Sequence, residues 1–179
     1  MTSYEPKNKT DWYNWLKQNY NKSTGIWIII PRNYDKLKDI DILEIALAFG
    51  WIDSTAKKSL DITKKIRYYC PRKKKSGWSQ RNKKLIKKLI KENRMEESGL
   101  LKVSEAKKDG SWYKLDDVEN LIIPNDLYKE LVNVKLLEKF KSLSITNKKT
   151  FLLKLINSKK ETTRIKNIEN IILYLFNKN

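Results

Sequence analysis

The sequence contains no histidine and only one cysteine. The first absence removes the side chain that serves most often as general base and as metal ligand. No Ser-His-Asp triad and no His-paired Cys nucleophile can be assembled. With one cysteine and no histidine, a structural zinc site is excluded in practice. Cys70 has no internal partner, so no intrachain disulfide forms and nothing demands an oxidising compartment. Glycine is scarce, five in 179 residues, and neither GxxxxGK[ST] nor GxGxxG occurs. The usual Gly-rich phosphate cradles are therefore missing. Long apolar runs are missing too. The longest, IWIII at Ile26–Ile30, is far too short to span a bilayer. The opening MTSYEPKNKTDWYNW has no apolar run of the signal-peptide kind. The expectation is a cytoplasmic protein with no transmembrane segment, no metal and no cofactor.

Positive charge is what the chain has in excess. It carries 39 Lys/Arg against 21 Asp/Glu, a net charge of +18. Such a chain repels itself and is drawn to polyanions. A bias toward Lys, Asn and Ile accounts for part of the excess, but the charge is also localised. From Lys57 to Arg94 there are sixteen Lys/Arg and only two acids, Asp61 and Glu92. Enough apolar and aromatic residues remain, 40% and 11%, to build a real core.

Helical spacing of Trp12, Trp15 and Leu16 predicts a helix from Asp11 to about Asn21, capped by Thr10. GIWIIIP reads as a buried strand. Ile42, Ile45, Ala46 and Phe49 mark a second helix opened by Asp39 or Asp41 and closed by Gly50. WIDS and KIRYYC read as strands. In the latter, Ile66, Tyr68 and Cys70 alternate with Arg67 and Tyr69, and this phase is expected to turn the Cys70 thiol inward. Ser79 caps a helix to about Asn93, another runs from about Glu96 to Lys108, and 111–123 looks irregular. Beyond Pro124 the pattern is wholly helical. The fold class is therefore α+β: a small mixed or antiparallel sheet with helices in residues 1–122, and a helical module in 123–179.

WYNWL, GIWIII, EIALAFGWIDS, PRKKKSGWSQRN, GLLKVSEAKKDGSW, PNDL and ETTRIKNIENII occur in that order. Together they resemble the YdeI/OmpD-associated (OmdA, "bacteriocin-protection") family from about Trp12 to Leu175. The runs Ala46–Asp53 and Pro71–Asn82 carry the specific part. The resemblance implies an α+β N-terminal region, a helical C-terminal module and a link to survival under antimicrobial-peptide or envelope stress. It brings no agreed enzymatic activity.

The segment PRKKKSGWSQRN is the leading candidate site. A strand end, a turn and a helix N-terminus present free N–H groups and positive charge to an anion. Arg72 can clasp a phosphate or carboxylate at two points. Lys73, Lys74 and Lys75 add charge, and Ser76, Ser79 and Asn82 add hydrogen bonds. Trp78 either offers a flat face to a base or sugar, or packs inward and pins the loop with Arg72 paired to Asp53. Lys83, Lys84, Lys87, Lys88 and Lys91 extend the positive face along the helix.

Three functions stay open at this stage. One is non-enzymatic anion binding, the ligand being a phosphate-containing small molecule, a nucleic acid or an anionic lipid headgroup. Another is an enzyme acting on a phosphorylated or nucleotide-like small molecule. There Asp53, alone or with Asp61, would be base or cation ligand and Arg72 the clamp. Against it, Asp53 can simply pair with Arg67 or Arg72. A Ser76 or Ser79 nucleophile beside lysine competes with plain turn and cap roles. The third is sequence-independent nucleic-acid binding through the basic face at 57–94. Oligomeric state is not legible.

Overall fold

The computed structural model describes residues 2–32 and 36–178. The chain divides into two compact units, one up to Tyr113 and one from Lys114. The first holds β1 (Ser3–Tyr4), α1 (Lys9–Asn19), β2 (Ile26–Pro31), α2 (Asp39–Ala48), β3 (Trp51–Lys57), β4 (Lys64–Pro71), α3 (Gln80–Lys91) and α4 (Glu97–Lys108). The sheet order is β1-β2-β4-β3, with β1 parallel to β2 and the other pairs antiparallel. This is the expected α+β class. The short β1 had no signal in the sequence pattern. The α1 cap is Asn8, not Thr10: the Asn8 side chain accepts the Asp11 N–H at 2.9 Å.

One face of the sheet is closed. Ile26, Ile28 and Ile30 of β2 and Tyr69 of β4 join Trp12 and Leu16 of α1 and the apolar side of α2 in a single core. Its aromatic residues interlock. Trp12 stacks on Trp15 at 5.3 Å and meets Tyr69 edge-on at 5.9 Å. The two deepest indoles donate their N–H groups, Trp12 to the Ile42 carbonyl and Trp51 to the Tyr20 carbonyl, both at 3.1 Å. Burying those rings therefore strands no donor.

The β4 phase is shifted by one residue from the sequence reading. Tyr69 is the buried residue, so Ile66, Tyr68 and Cys70 lie on the opposite, open face, and Cys70 is a half-buried free thiol. Alternation has no sign of its own, and Tyr69 wins the core because its ring fills the space beside Trp12.

Gly99 marks a tight contact between α4 and the end of α2. A Cβ there would lie 2.1 Å from the Ala48 carbonyl oxygen at the end of α2. Gly99→Ala should cost about 1–3 kcal/mol by overpacking. Urea denaturation reads the loss, and an unchanged midpoint would refute it.

The second unit is helical: α5 (Asp116–Glu119), α6 (Asn125–Asn133), α7 (Leu137–Lys141), α8 (Ile145–Ile156) and α9 (Glu161–Asn177). Leu127, Leu131, Phe140, Leu152, Leu155 and Ile171 form its core. Val118 belongs to this core, which is why the unit begins at Lys114 rather than at 123. Arg164 grips both carboxylate oxygens of Asp126, the Nη2–Oδ1 arm at 2.9 Å, and donates to the Leu155 carbonyl. That guanidinium holds the Asp126 carboxyl below the usual carboxylate range. Among the described residues no helix is long and apolar enough to cross a membrane.

Candidate anion-binding surface

Pro71 ends β4, and the Arg72 N–H reaches the Gly50 carbonyl at 3.0 Å. This turns the Arg72 side chain inward, where it is only 6% exposed. Its Nη2 donates to the Gly77 carbonyl at 2.8 Å and to the Ser76 hydroxyl at 3.4 Å. The guanidinium lies 3.7 Å from the centre of the Trp78 ring, close enough for a strong cation–π contact. Its Nε is buried with no hydrogen-bond partner among the described residues. Among the described residues Arg72 makes no ion pair. Burial pulls its pKa down to about 10, so it remains a cation at neutral pH.

Trp78 is 2% exposed and packs against Trp112, ring centres 5.0 Å apart. It pins the loop from beneath and offers no flat face to a base. Arg72 is not paired to Asp53 either. Asp53 takes Arg67, at 2.9 Å. Asp61 lies apart from Asp53, in the β3–β4 turn, bonded to Thr63. The two acids do not form the cation or base site considered above. Among the described residues no group of three or more His, Cys, Asp or Glu could hold a metal ion.

The loop is tied through its main chain. The Ser76 hydroxyl donates to the Lys73 carbonyl at 2.7 Å. Lys75 adopts φ +59°, and its N–H lies toward the Asp109 carboxylate, helping to hold that carboxyl below the usual range. Asp109 accepts the Ser111 N–H at 2.9 Å, and Ser111 is the main cause that holds its carboxyl below the usual range. Ser79 is the α3 cap, its hydroxyl oxygen accepting the Asn82 N–H at 3.3 Å. Both serines thus have structural partners. Beneath the loop, bordered by Arg72, Lys75, Trp78, Lys102, Glu105 and Asp109, is a cavity of about 10 Å³. That is room for about one water, not for a nucleotide.

The helix lysines divide in two. Lys83 is buried, its ammonium 5.6 Å from the Trp112 ring and 5.7 Å from that of Tyr113. Lys88 is bound to Glu44 of α2 at 2.6 Å. Lys84, Lys87 and Lys91 are exposed and make no ion pair among the described residues. Their i, i+3, i+7 spacing puts them on one stripe. Lys73 and Lys74 are exposed at the N-terminal side of that stripe. The face expected from sequence is therefore narrower by two lysines. Asp109, which borders the cavity beneath the loop, was missed. The Asp-Gly-Ser after a helix signals a turn there, but nothing local signals a contact with Lys75.

The chain is thus a basic α+β protein whose candidate site is an outward-facing loop and helix rather than a cleft. It belongs to the family described as Domain of unknown function (DUF8412), whose model matches residues 4–102 and so covers the loop and all of α3. No curated protein and no solved structure gives a significant match.

Proposed function

We propose that this protein binds phosphate-bearing polyanions, without catalysis, on the surface formed by Lys73, Lys74, Lys75 and the Lys84–Lys87–Lys91 stripe. The observation that carries the reading is a contrast between two of the three buried charges among the described residues, Glu44 and Arg72. Glu44 is neutralised by Lys88 and Arg94. Among the described residues Arg72 is left without a carboxylate, beside three exposed lysines and the α3 N-terminus. Positive charge concentrated in this way is compensated most readily by an anion from outside. The small cavity favours a ligand lying across the surface over one entering a pocket.

The resemblance to the YdeI/OmdA family adds a setting, survival under antimicrobial-peptide or envelope stress. A chain of net charge +18 repels cationic peptides, so protection would act through an anionic partner.

The test is the salt dependence of binding to a labelled 20-nucleotide single strand. About five phosphate contacts predict a log–log slope near −3.5, and replacing Lys84, Lys87 and Lys91 by Gln should reduce it by about 2. Equal slopes in wild type and triple variant would sink the surface. So would saturable binding of ATP that survives moderate salt, which requires a pocket.

A further inference from the structure

The hairpin joining β3 to β4 ends in KSLDIT, residues 58–63, and its two aliphatic side chains stand in water. Leu60 is fully exposed and Ile62 is 84% exposed. A lone surface leucine is ordinary. Here the turn holds both outward. The Asp61 carboxylate accepts the Thr63 N–H at 2.9 Å and the Thr63 hydroxyl at 2.6 Å. The Asp61 N–H donates to the Ser59 hydroxyl, and its carbonyl accepts the Lys64 N–H. The Thr63 carbonyl accepts the Arg32 N–H at 2.7 Å. The polar groups are bonded back into the turn, and the apolar ones are left at the tip.

Cations ring the tip. Lys57 and Lys58 are exposed. Lys64 and Lys65 are half-exposed, paired with Glu5 and Asp39, and Arg32 is exposed beside Thr63. Behind the tip runs the open face of the sheet. Ile66 pairs with Ile29, and Tyr68 with Trp27, whose rings lie 5.2 Å apart. These four are half-buried and lie outside the core. From Thr63 to Tyr68 is roughly 16 Å of strand.

We infer that this hairpin docks the protein on an anionic membrane surface, Leu60 and Ile62 entering the acyl boundary and the lysine collar meeting lipid phosphates. Charge complementarity selects the occupant. A bilayer interface offers hydrocarbon, then phosphate, then a zone that suits Trp and Tyr, over a depth that an upright hairpin spans. A single-stranded nucleic acid would use Trp27 and Tyr68 but has no use for two aliphatics at a tip. Nor is the Trp27 face open to a base, because the Lys57 ammonium lies 4.4 Å above it. Asp61, the only acid in the turn, is folded back on Thr63. The proposal does not depend on the α3 surface.

Co-sedimentation with vesicles of phosphatidylcholine and phosphatidylglycerol (7:3), against pure phosphatidylcholine, tests it. Wild type should bind the mixed vesicles and release with salt. Leu60→Ser with Ile62→Ser should weaken binding at least tenfold, with the circular dichroism unchanged because both side chains are solvent-exposed. Lys57→Gln and Lys58→Gln should each cost about fivefold. No vesicle binding by wild type, or equal binding by the tip variant, would overturn the proposal. Loss in Lys84/Lys87/Lys91→Gln with none in the tip variant would assign the membrane to α3 instead. Loss of oligonucleotide binding in Trp27→Ala, with vesicle binding indifferent to the tip, would make the open sheet a nucleic-acid platform.

Discussion

Trp78→Ala is expected to destabilise the first unit by about 3–5 kcal/mol. The ring is almost wholly buried, packs on Trp112 and carries the Arg72 guanidinium on its face. Removing it opens a cavity and deprives a buried cation of its best remaining partner. The two penalties are coupled, because the same ring serves both. A loss of that size should lower the thermal midpoint by roughly 10 °C or more. Trp78→Phe keeps a ring under Arg72 and should recover much of the loss. Thermal unfolding followed by circular dichroism reads all three proteins. A Trp78→Ala midpoint within about 2 °C of wild type would show that the loop does not depend on this ring. The result also bears on recognition. Weakened anion binding in Trp78→Ala would report a collapsed loop, not a lost stacking contact.

Lys88→Met combined with Arg94→Met should cost about 3–5 kcal/mol, well above the cost of Glu44→Gln. The asymmetry comes from burial. Glu44 is 4% exposed, held by Lys88 at 2.6 Å and Arg94 at 3.1 Å. Its partners are close to half-exposed, and Arg94 also reaches Glu92. Without Glu44 both cations return to water, and the loss should stay near 1–2 kcal/mol. Without the cations a carboxylate is stranded between α2 and α3. Leu at position 44 together with Met at 88 and 94 should restore most of the stability, because an apolar trio needs no counter-charge. Urea midpoints for the four proteins decide it. Equal losses in the double variant and Glu44→Gln would mean that Glu44 is solvated in solution.

Much of the fold was legible because its signals are local. The β-branched run at Ile26–Ile30, the Ser79 cap and the apolar stripe of α3 each specify an element within a dozen residues. The α+β order followed from them. The phase of β4 was not legible, since either half of an alternating strand can face in, and the decision lies with Trp12, far away in sequence. The boundary at Lys114 was hidden for a similar reason: Val118 is one short apolar residue whose allegiance only packing reveals. In the candidate segment, Lys73, Lys74, Lys84, Lys87 and Lys91 are exposed as expected. The roles within it differ. Arg72 and Trp78 form the foundation, while Lys83 and Lys88 are engaged in packing and pairing. Charge by itself does not say which cations a fold keeps for itself.

The loop from Arg72 to Ser79 keeps its shape and its charge in different atoms. Its form is set by main-chain partners: the Lys73 carbonyl with Ser76 and the Gly77 carbonyl with Arg72. The ammonium groups of Lys73 and Lys74 take no part in those bonds. Each can be exchanged while the scaffold stays as it is. Lineages carrying this unit are therefore free to retune the sign and strength of the surface one residue at a time, as long as the few residues beneath it are kept. Surface charge can drift here faster than the fold does.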